Sequence, residues 1–229
     1  ITWAAVVALG MAEAAQGQWS VRVLHPVGAA DSEIFAGSAG QQGGYVYASG
    51  NHAALWNGTS SWVDLSPAGS TASYVQAIED GVQAGSARFG GHGHGGIWHG
   101  TAASWTDLTP AGHASSWVYA ISGGVQAGVV DMGGTSHAAL WRSTPESWVD
   151  LNPDGMNFSV VNCAGGGVQG GVSLIWGAES HPGIWRGTPE SWVDLRPAGI
   201  DVDEPGQLGQ TGDLASPGEV ADVGDPMEG

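Results

Sequence analysis

The stretch His-Ala-Ala-Leu-Trp at residues 52–56 decides the fold, because it returns three times along the chain as His-x-x-x-Trp. The later copies begin at His94, His137 and His181, so successive copies are 42, 43 and 44 residues apart. In each copy a second Trp follows six or seven residues after the first and opens the sequence Trp-(Val/Thr)-Asp-Leu. A period near 43 residues is typical of stacked units, such as propeller blades or solenoid turns, that are too small to bury a core alone.

Two further landmarks keep the same register. A Gly-x-Gln-x-Gly motif begins 14 residues after a Pro in every full repeat. The Pro residues are Pro26, Pro67, Pro110 and Pro153, and the motifs begin at Gly40, Gly81, Gly124 and Gly167. A fifth repeat starts at Pro197 and loses every landmark after Gly199. The sequence therefore predicts a repeat domain over residues 19–199, with four complete repeats and a degenerate or truncated fifth.

Within a repeat, apolar residues alternate with a period of two in short segments that Gly, Pro, Asn, Ser and Thr separate. This pattern predicts short strands joined by tight turns. In the second repeat the predicted strands are residues 73–78, 82–88, 94–98 and 105–108. Four strands per repeat predict an all-β fold, a β-propeller of four-stranded antiparallel blades with five blades in all. We expect the small-residue strand of each blade to lie innermost and the Trp-Val-Asp strand outermost.

Both ends of the chain depart from the repeat pattern. Residues 1–18 predict either the remnant of a secretory signal peptide or a disordered N-terminus, because an apolar segment is followed there by Ala-Glu-Ala. Residues 200–229 contain eight acids and no base, and they predict either an acidic tail or a degenerate last blade. Residues 21–24 are interpreted as an outer strand, which would complete that last blade and close the ring.

The formal net charge is −17, from 22 acids against five Arg and no Lys. Such a surface repels phosphate groups, so we expect no nucleic acid partner and no binding to an anionic membrane. We also expect no insertion into a membrane, because the apolar segment of residues 1–11 is too short to span a bilayer. We also expect a monomer without a cofactor. A metal is not expected either, since the cluster of His92, His94 and His99 has no carboxylate nearby in sequence. Cys163 is the one Cys, at a position where two other repeats have Ala, and we expect it to be a small buried residue.

The combination of Gly-x-Gln-x-Gly, His-Ala-x-Leu-Trp, Gly-Thr and Trp-Val-Asp-Leu-x-Pro-x-Gly resembles the HAF-type extracellular repeats of bacterial secreted proteins. The resemblance covers residues 21–199. It departs in the first copy, which reads Val-Arg-Val-Leu-His-Pro, and after residue 199. The resemblance implies secretion to an extracellular or periplasmic location and a propeller-like fold. It implies no established activity.

Every repeat also contains a His, a Ser and an Asp, which together suggest a hydrolytic triad. An active site is needed once, whereas a residue that recurs in every unit serves that unit, so we interpret this set as a structural hydrogen-bonded network and expect it to be buried. The repeated Gln of the glycine motif is interpreted as a hydrogen bonder between blades. The network comprises His52, His94, His137, His181, Ser61, Ser104, Ser147, Ser191, Asp64, Asp107, Asp150, Asp194, Trp62, Trp105, Trp148 and Trp192.

Specific function is expected where the repeats differ. Counting seven and nine residues from each Pro gives variable positions that alternate with a repeated Ser, which places them on the opposite face of the strand. The candidate ligand-binding residues are Glu33, Tyr74, Trp117, Tyr119 and Asn162. Their aromatic rings could stack on a sugar or on the apolar surface of a partner, or they could simply pack between blades.

The sequence thus favours a secreted, non-catalytic recognition module that binds a glycan or an extracellular protein. One alternative is a carbohydrate-active propeller hydrolase or lyase, which needs non-repeated carboxylates that converge on the channel. The available acids are Asp31, Glu33, Asp131, Asp154 and Glu179. Another alternative is a structural segment of a larger cell-envelope protein.

Overall fold

The computed structural model describes residues 20–176 and 179–197, which form four antiparallel sheets of four strands each. The first two sheets contain β1 (Asp31–Ser38), β2 (Gln41–Tyr47), β3 (Asn51–Trp56) and β4 (Trp62–Asp64), then β5 (Ala72–Glu79), β6 (Val82–Phe89), β7 (His92–Trp98) and β8 (Thr106–Asp107). The other two contain β9 (Ser116–Ser122), β10 (Val125–Asp131), β11 (Ser136–Trp141) and β12 (Val149–Asp150), then β13 (Phe158–Gly165), β14 (Val168–Leu174), β15 (Ser180–Trp185) and β16 (Val193–Asp194).

Each sheet is one sequence repeat, and its strands lie side by side in chain order. The prediction of an all-β fold with four strands per repeat is confirmed, and the first three strands of the second repeat begin and end within two residues of their predicted bounds. The last strand is shorter than predicted because a single 3-10 turn, such as Ala102–Ser104, precedes it in three of the sheets. No helix in the described part of the chain is long and apolar enough to cross a membrane.

The hydrophobic core lies between consecutive sheets. The cluster between the second and third sheets contains Ile97 and Leu108 from one sheet and Val118 and Trp141 from the other. Equivalent clusters lie between the first and second sheets and between the third and fourth. Each sheet therefore has a leading face, which packs on the preceding sheet, and a trailing face, which packs on the following one.

The two end faces of the array are less covered than the internal ones. Ile34 on the leading face of the first sheet is 43% exposed, whereas its repeat equivalents Val75, Val118 and Val161 are fully buried. On the trailing face of the fourth sheet, Leu195 is 53% exposed, and its equivalents in the other repeats, Leu65, Leu108 and Leu151, are fully buried. Burial at these repeat positions thus depends on a neighbouring sheet and not on the residue type.

This end effect corrects one prediction. Cys163, expected to be buried, is exposed, because it lies on β13 beside Gly170 on the trailing face of the fourth sheet. The equivalent Ala120 of the third sheet is buried. The sequence pattern alone does not distinguish a covered repeat from an end repeat.

The hypothesis that residues 21–24 form an outer strand is not supported. These residues are irregular, and Val21 and Val23 are 97% and 74% exposed. The first sheet obtains all four of its strands from residues 31–64. The compact unit that holds the sheets ends at Leu195. The predictions for residues 1–18 and 200–229 lie outside the described residues.

Candidate functional site

Each sheet pairs its repeated His with its repeated Asp. The distance from His Nδ1 to Asp Oδ2 is 2.9 Å for His52 and Asp64, and it is 2.6, 2.8 and 2.7 Å in the next three sheets. The second carboxylate oxygen of Asp64 accepts the amide N–H of Ser66 at 2.8 Å. The His side chains are between 13% and 30% exposed and the Asp side chains between 35% and 47%, so these pairs lie at the surface and not, as predicted, in the interior.

The pair in the first sheet predicts a pH dependence of stability. Burial at Asp64 opposes ionisation, but the Ser66 amide, the Ser66 hydroxyl and the His52 ring outweigh it, so the pKa of Asp64 lies below its usual value of 3.8. A carboxyl whose pKa is lowered on folding stabilises the protein above its unfolded-state pKa, and this contribution is lost as the pH falls through the folded-state value.

We therefore expect Asp64→Asn to lower the melting temperature at about pH 6 by roughly 2 °C, and to have almost no effect at about pH 2. Thermal unfolding of both proteins at the two pH values measures this difference. Asp154→Asn, in an exposed turn, is the control and should match the wild type throughout. A deficit in Asp64→Asn that is equally large at both pH values would contradict the assignment.

The repeated Ser does not join the His–Asp pair. In the second sheet, Ser104 Oγ accepts the amide N–H of His99 at 2.8 Å and donates to the carbonyl of Thr101 at 2.6 Å. Ser147 and Ser191 close the equivalent turns in the third and fourth sheets. This Ser therefore stabilises the turn before the last strand, and the three residue types that suggest a triad are divided between two separate structural tasks.

A different Ser, at the start of the first strand, links each sheet to the one before it. Ser73 is fully buried, accepts the amide N–H of Ala53 at 2.9 Å and donates to Ser66 Oγ at 3.0 Å. We call this arrangement the Ser staple. It recurs with Ser116, Gly95 and Thr109 between the second and third sheets, and with Ser159, Ala138 and Asn152 between the third and fourth.

The two ends of the array modify the staple. In the first sheet, Ser32 bonds to Nδ1 of His25 at 2.8 Å, and His25 occupies the position before Pro that Ser66 and its equivalents occupy in later repeats. In the fourth sheet, Pro182 stands at the position of Ala53 and has no N–H to donate. The trailing face of the fourth sheet therefore cannot donate the hydrogen bond that joins the other sheets.

Removing one staple is expected to lower stability. Ser116→Ala leaves the buried amide N–H of Gly95 and the hydroxyl of Thr109 without this partner, so we expect the free energy of unfolding to fall by ~2 kcal/mol. Urea denaturation followed by Trp fluorescence measures the change. Ser32→Ala is the matched control, because the recorded partner of the Ser32 hydroxyl within the described residues is the exposed His25, and it should cost less than half as much. Equal losses in the two variants would refute the role of the staple.

The repeated Gln stabilises its own sheet. Gln126 Nε2 donates to the carbonyl of Gly124 at 3.0 Å, and its Oε1 accepts the amide N–H of Ser143 at 2.8 Å, so it joins the first hairpin to the loop after β11. Gln42, Gln83 and Gln169 make the same two bonds. The prediction of hydrogen bonds between sheets is wrong for these residues, apart from a 3.3 Å contact between Gln83 and Gln41.

The last Gly of each glycine motif faces a β-bulge in the first strand of the sheet. In the third sheet the bulge falls between Val118 and Ala120, so that Tyr119 has no partner on β10. A Cβ added to Gly128 would lie 2.0 Å from the carbonyl oxygen of Trp117. The same bulge occurs in the other sheets, where the extra residues are Phe35, Gln76 and Asn162. The Gly is therefore required by a backbone contact, and the extra residue is free to vary.

The five candidate ligand-binding residues do not form one site. Glu33 and Asn162 are exposed on the first and fourth sheets. The Tyr74 hydroxyl accepts a hydrogen bond from Asn51, and its ring packs edge-on against Tyr45 at 5.7 Å, so Tyr74 serves the contact between two sheets. Burial raises the pKa of the half-buried Tyr119. Of the five, Trp117 lines the aromatic pocket described below.

The acids suggested for catalysis are also dispersed. Asp31 accepts hydrogen bonds from the amide N–H of Ser32 and from the hydroxyl of Tyr45. The bond to Asp31, together with burial and nearby negative charge, raises the pKa of Tyr45 to about 12. Asp131 lines the same pocket as Trp117, whereas Asp154 and Glu179 do not line it.

This pocket has a volume of about 350 Å³ and lies between the third and fourth sheets. Its aromatic lining consists of Trp117 near the start of β9, Phe158 at the start of β13, and Trp176 after β14. Asp131 at the end of β10 and residues 134–136 of the next hairpin supply the polar lining. All these residues lie at the same end of their sheets, so the strand order brings them together.

Neighbouring residues fix the walls of the pocket. Asn157 accepts the amide N–H of Trp176 on its side-chain oxygen at 3.0 Å, and its carbonyl accepts the hydroxyl of Thr135, which joins the two sheets. The Trp117 indole lies on Gly93 of the second sheet, where a Cβ would be 2.5 Å from its Nε1. The two lining indoles are therefore held differently: Trp117 is half-buried against a neighbour, and Trp176 is 64% exposed.

The sequence contains a signal for this pocket, which the variable positions capture only in part. Among the described residues, Trp117 and Trp176 are the Trp that stand outside the two repeated Trp positions, and both line the pocket. Trp176 lies in the connection between β14 and β15, which departs from the other repeats. A search for Trp residues out of register would have selected both.

Comparison of the chain with family models, curated proteins and solved structures found no match in any of the three. A functional assignment therefore depends on the geometry and chemistry of the described residues, and the aromatic pocket is the feature with the most specific chemistry.

Proposed function

We propose that this protein is a secreted binding module of HAF-type repeats that recognises a glycan through the aromatic pocket between its third and fourth sheets. The observation that carries the proposal is the grouping of Trp117, Phe158 and Trp176 around one cavity with the carboxylate of Asp131. Ligand pockets typically combine apolar and aromatic walls with a few polar groups that fix orientation. Indole and phenyl rings suit the C–H faces of a sugar, and Asp131, Thr135 and Ser136 suit its hydroxyl groups.

The size of the pocket fits this ligand class. A volume of about 350 Å³ lies at the lower end of the range for small-molecule sites, which suits one or two sugar rings. The exposure of Trp176 leaves one side open, so a longer oligosaccharide could extend beyond the pocket.

Binding without catalysis is favoured by the number of carboxylates. Most glycoside hydrolases use a pair of acids on opposite sides of the scissile bond. Among the described residues, Asp131 is the one acid that lines this pocket. The repeated His–Asp pairs belong to the scaffold in all four sheets and provide no unique centre.

The propeller arrangement forms part of the same proposal. The supporting observation is that every internal junction repeats one geometry, with the Ser staple and an apolar cluster, as expected of blades related by a constant rotation. A fifth blade, or a direct contact between the end faces, would then cover Ile34 and Leu195. Small-angle scattering distinguishes a closed ring from an open arc of sheets.

The test of function is a titration of neutral and charged oligosaccharides monitored by Trp fluorescence. We expect saturable binding of at least one glycan, and we expect Trp117→Ala and Phe158→Ala each to weaken it at least tenfold. Tyr47→Ala removes an exposed aromatic residue that does not line the pocket, and it should bind as the wild type does. The proposal fails if no glycan binds, or if all four proteins bind equally.

A further inference from the structure

We propose that the pocket selects a sugar that carries a protonated amine, an unacetylated amino sugar, over its neutral N-acetylated counterpart. This inference rests on the proposed function, since it concerns the ligand class of the same site. Three observations carry it: the state of the Asp131 carboxylate, the lack of a cation among the described residues of the lining, and the three aromatic rings around the pocket.

The Asp131 carboxylate is oriented by the protein but not neutralised by it. One oxygen, Oδ1, accepts the amide N–H of Gly133 at 2.8 Å, which holds the side chain in the turn after β10. Among the described residues no hydrogen bond or ion pair is recorded to Oδ2. The His113 ring bonds to the backbone carbonyl of Asp131 at 3.0 Å and not to its carboxylate. Asp131 therefore retains an acceptor oxygen and its negative charge for a ligand.

The remaining lining offers a cation a favourable environment. Apart from Asp131, the lining residues are Trp117, Gly134, Thr135, Ser136, Phe158 and Trp176, and none of them carries a positive charge. The faces of aromatic rings attract an ammonium group, most strongly when the ring is Trp. The net charge of −17 adds a long-range attraction for cations.

A neutral sugar uses only part of this chemistry. Its C–H face can pack on the indoles and its hydroxyls can bond to Thr135 and Ser136, but it leaves the Asp131 charge uncompensated when the ligand excludes water. A protonated amine on the ring supplies a charge-assisted hydrogen bond to Oδ2, which is stronger than a neutral one. Acetylation removes that charge and adds bulk at the same atom.

The experiment compares two ligands with the same backbone, chitotetraose and tetra-N-acetylchitotetraose, at about pH 6 and low salt. We expect the wild type to bind the deacetylated tetramer at least tenfold more tightly, and we expect the preference to decrease as salt is added. Asp131→Asn keeps an oxygen for the Gly133 amide, so it should remain folded. It should reduce the preference to less than twofold, because it loses more affinity for the deacetylated tetramer than for the acetylated one.

The control is Asp154→Asn, which makes the same change in net charge away from the pocket lining and should keep the full preference. Equal binding of the two tetramers by the wild type overturns the inference but leaves the proposed function intact. A preference that survives in Asp131→Asn also overturns it, because net charge and not the pocket would then be responsible. Failure of every glycan in the earlier panel to bind overturns the proposed function itself.

Discussion

Gly128→Ala is expected to lower the free energy of unfolding by ~3 kcal/mol, although it adds only one methyl group. The new Cβ would lie 2.0 Å from the carbonyl oxygen of Trp117, and a backbone atom in a bulged strand cannot rotate away as a side chain can. The bulge or the pairing of β9 with β10 must then be disrupted. Urea denaturation followed by far-UV circular dichroism measures the loss.

Gly165→Ala provides the matched control for this substitution. Gly165 also lies in a strand, its φ is not positive, and an added Cβ would meet no atom within 4 Å. We expect its free energy of unfolding to stay within ~0.5 kcal/mol of the wild-type value. If Gly128→Ala behaves in the same way, the bulge is not the reason for the Gly in the repeated motif.

Leu108→Ala is expected to cost about 3 kcal/mol, because the side chain is fully buried in the cluster between the second and third sheets. The chain contains its own control. Leu195 occupies the same position in the fourth repeat, with the same backbone hydrogen bond to the neighbouring strand, but it is 53% exposed. Leu195→Ala should therefore cost less than ~1 kcal/mol.

The comparison of these two variants also tests whether the trailing face of the fourth sheet is exposed in solution. If Leu195→Ala lowers the free energy of unfolding as much as Leu108→Ala does, something covers that face. The measurement is again equilibrium denaturation in urea, with Trp fluorescence as the signal. Similar losses would contradict the exposure that the described residues give to Leu195.

The strands could be predicted from the sequence because each depends on local alternation and on a turn with Gly or Pro, and both recur four times in register. The His–Asp pairs could be predicted because a 12- or 13-residue separation that repeats four times indicates a fixed geometry. Contacts between repeats were harder to predict. The Ser staple joins Ser73 to Ala53, and nothing in the pattern of one repeat identifies a backbone amide of another as the partner.

Three other errors each have a physical reason. Cys163 was expected to be buried because its equivalents are small, but burial requires a following sheet, which sequence alone does not supply. The alternation used to place Tyr119 and Asn162 assumes an unbroken strand, but each of these residues is the extra residue of a bulge. The pocket was missed in part because it combines residues from two repeats that are variable in each.

The Ser staple also affects how the number of repeats in such a chain can change. Each internal repeat contributes a Ser to the junction before it and a backbone amide to the junction after it. If one whole repeat is duplicated or deleted in the gene, every junction therefore keeps both its Ser and its backbone amide. This holds whatever residues stand at the bulge positions. Pro182 is the exception. It has no N–H, so the Ser of a repeat added after the fourth one would find no backbone amide to bond to. Variation in repeat number should thus arise upstream of the fourth repeat.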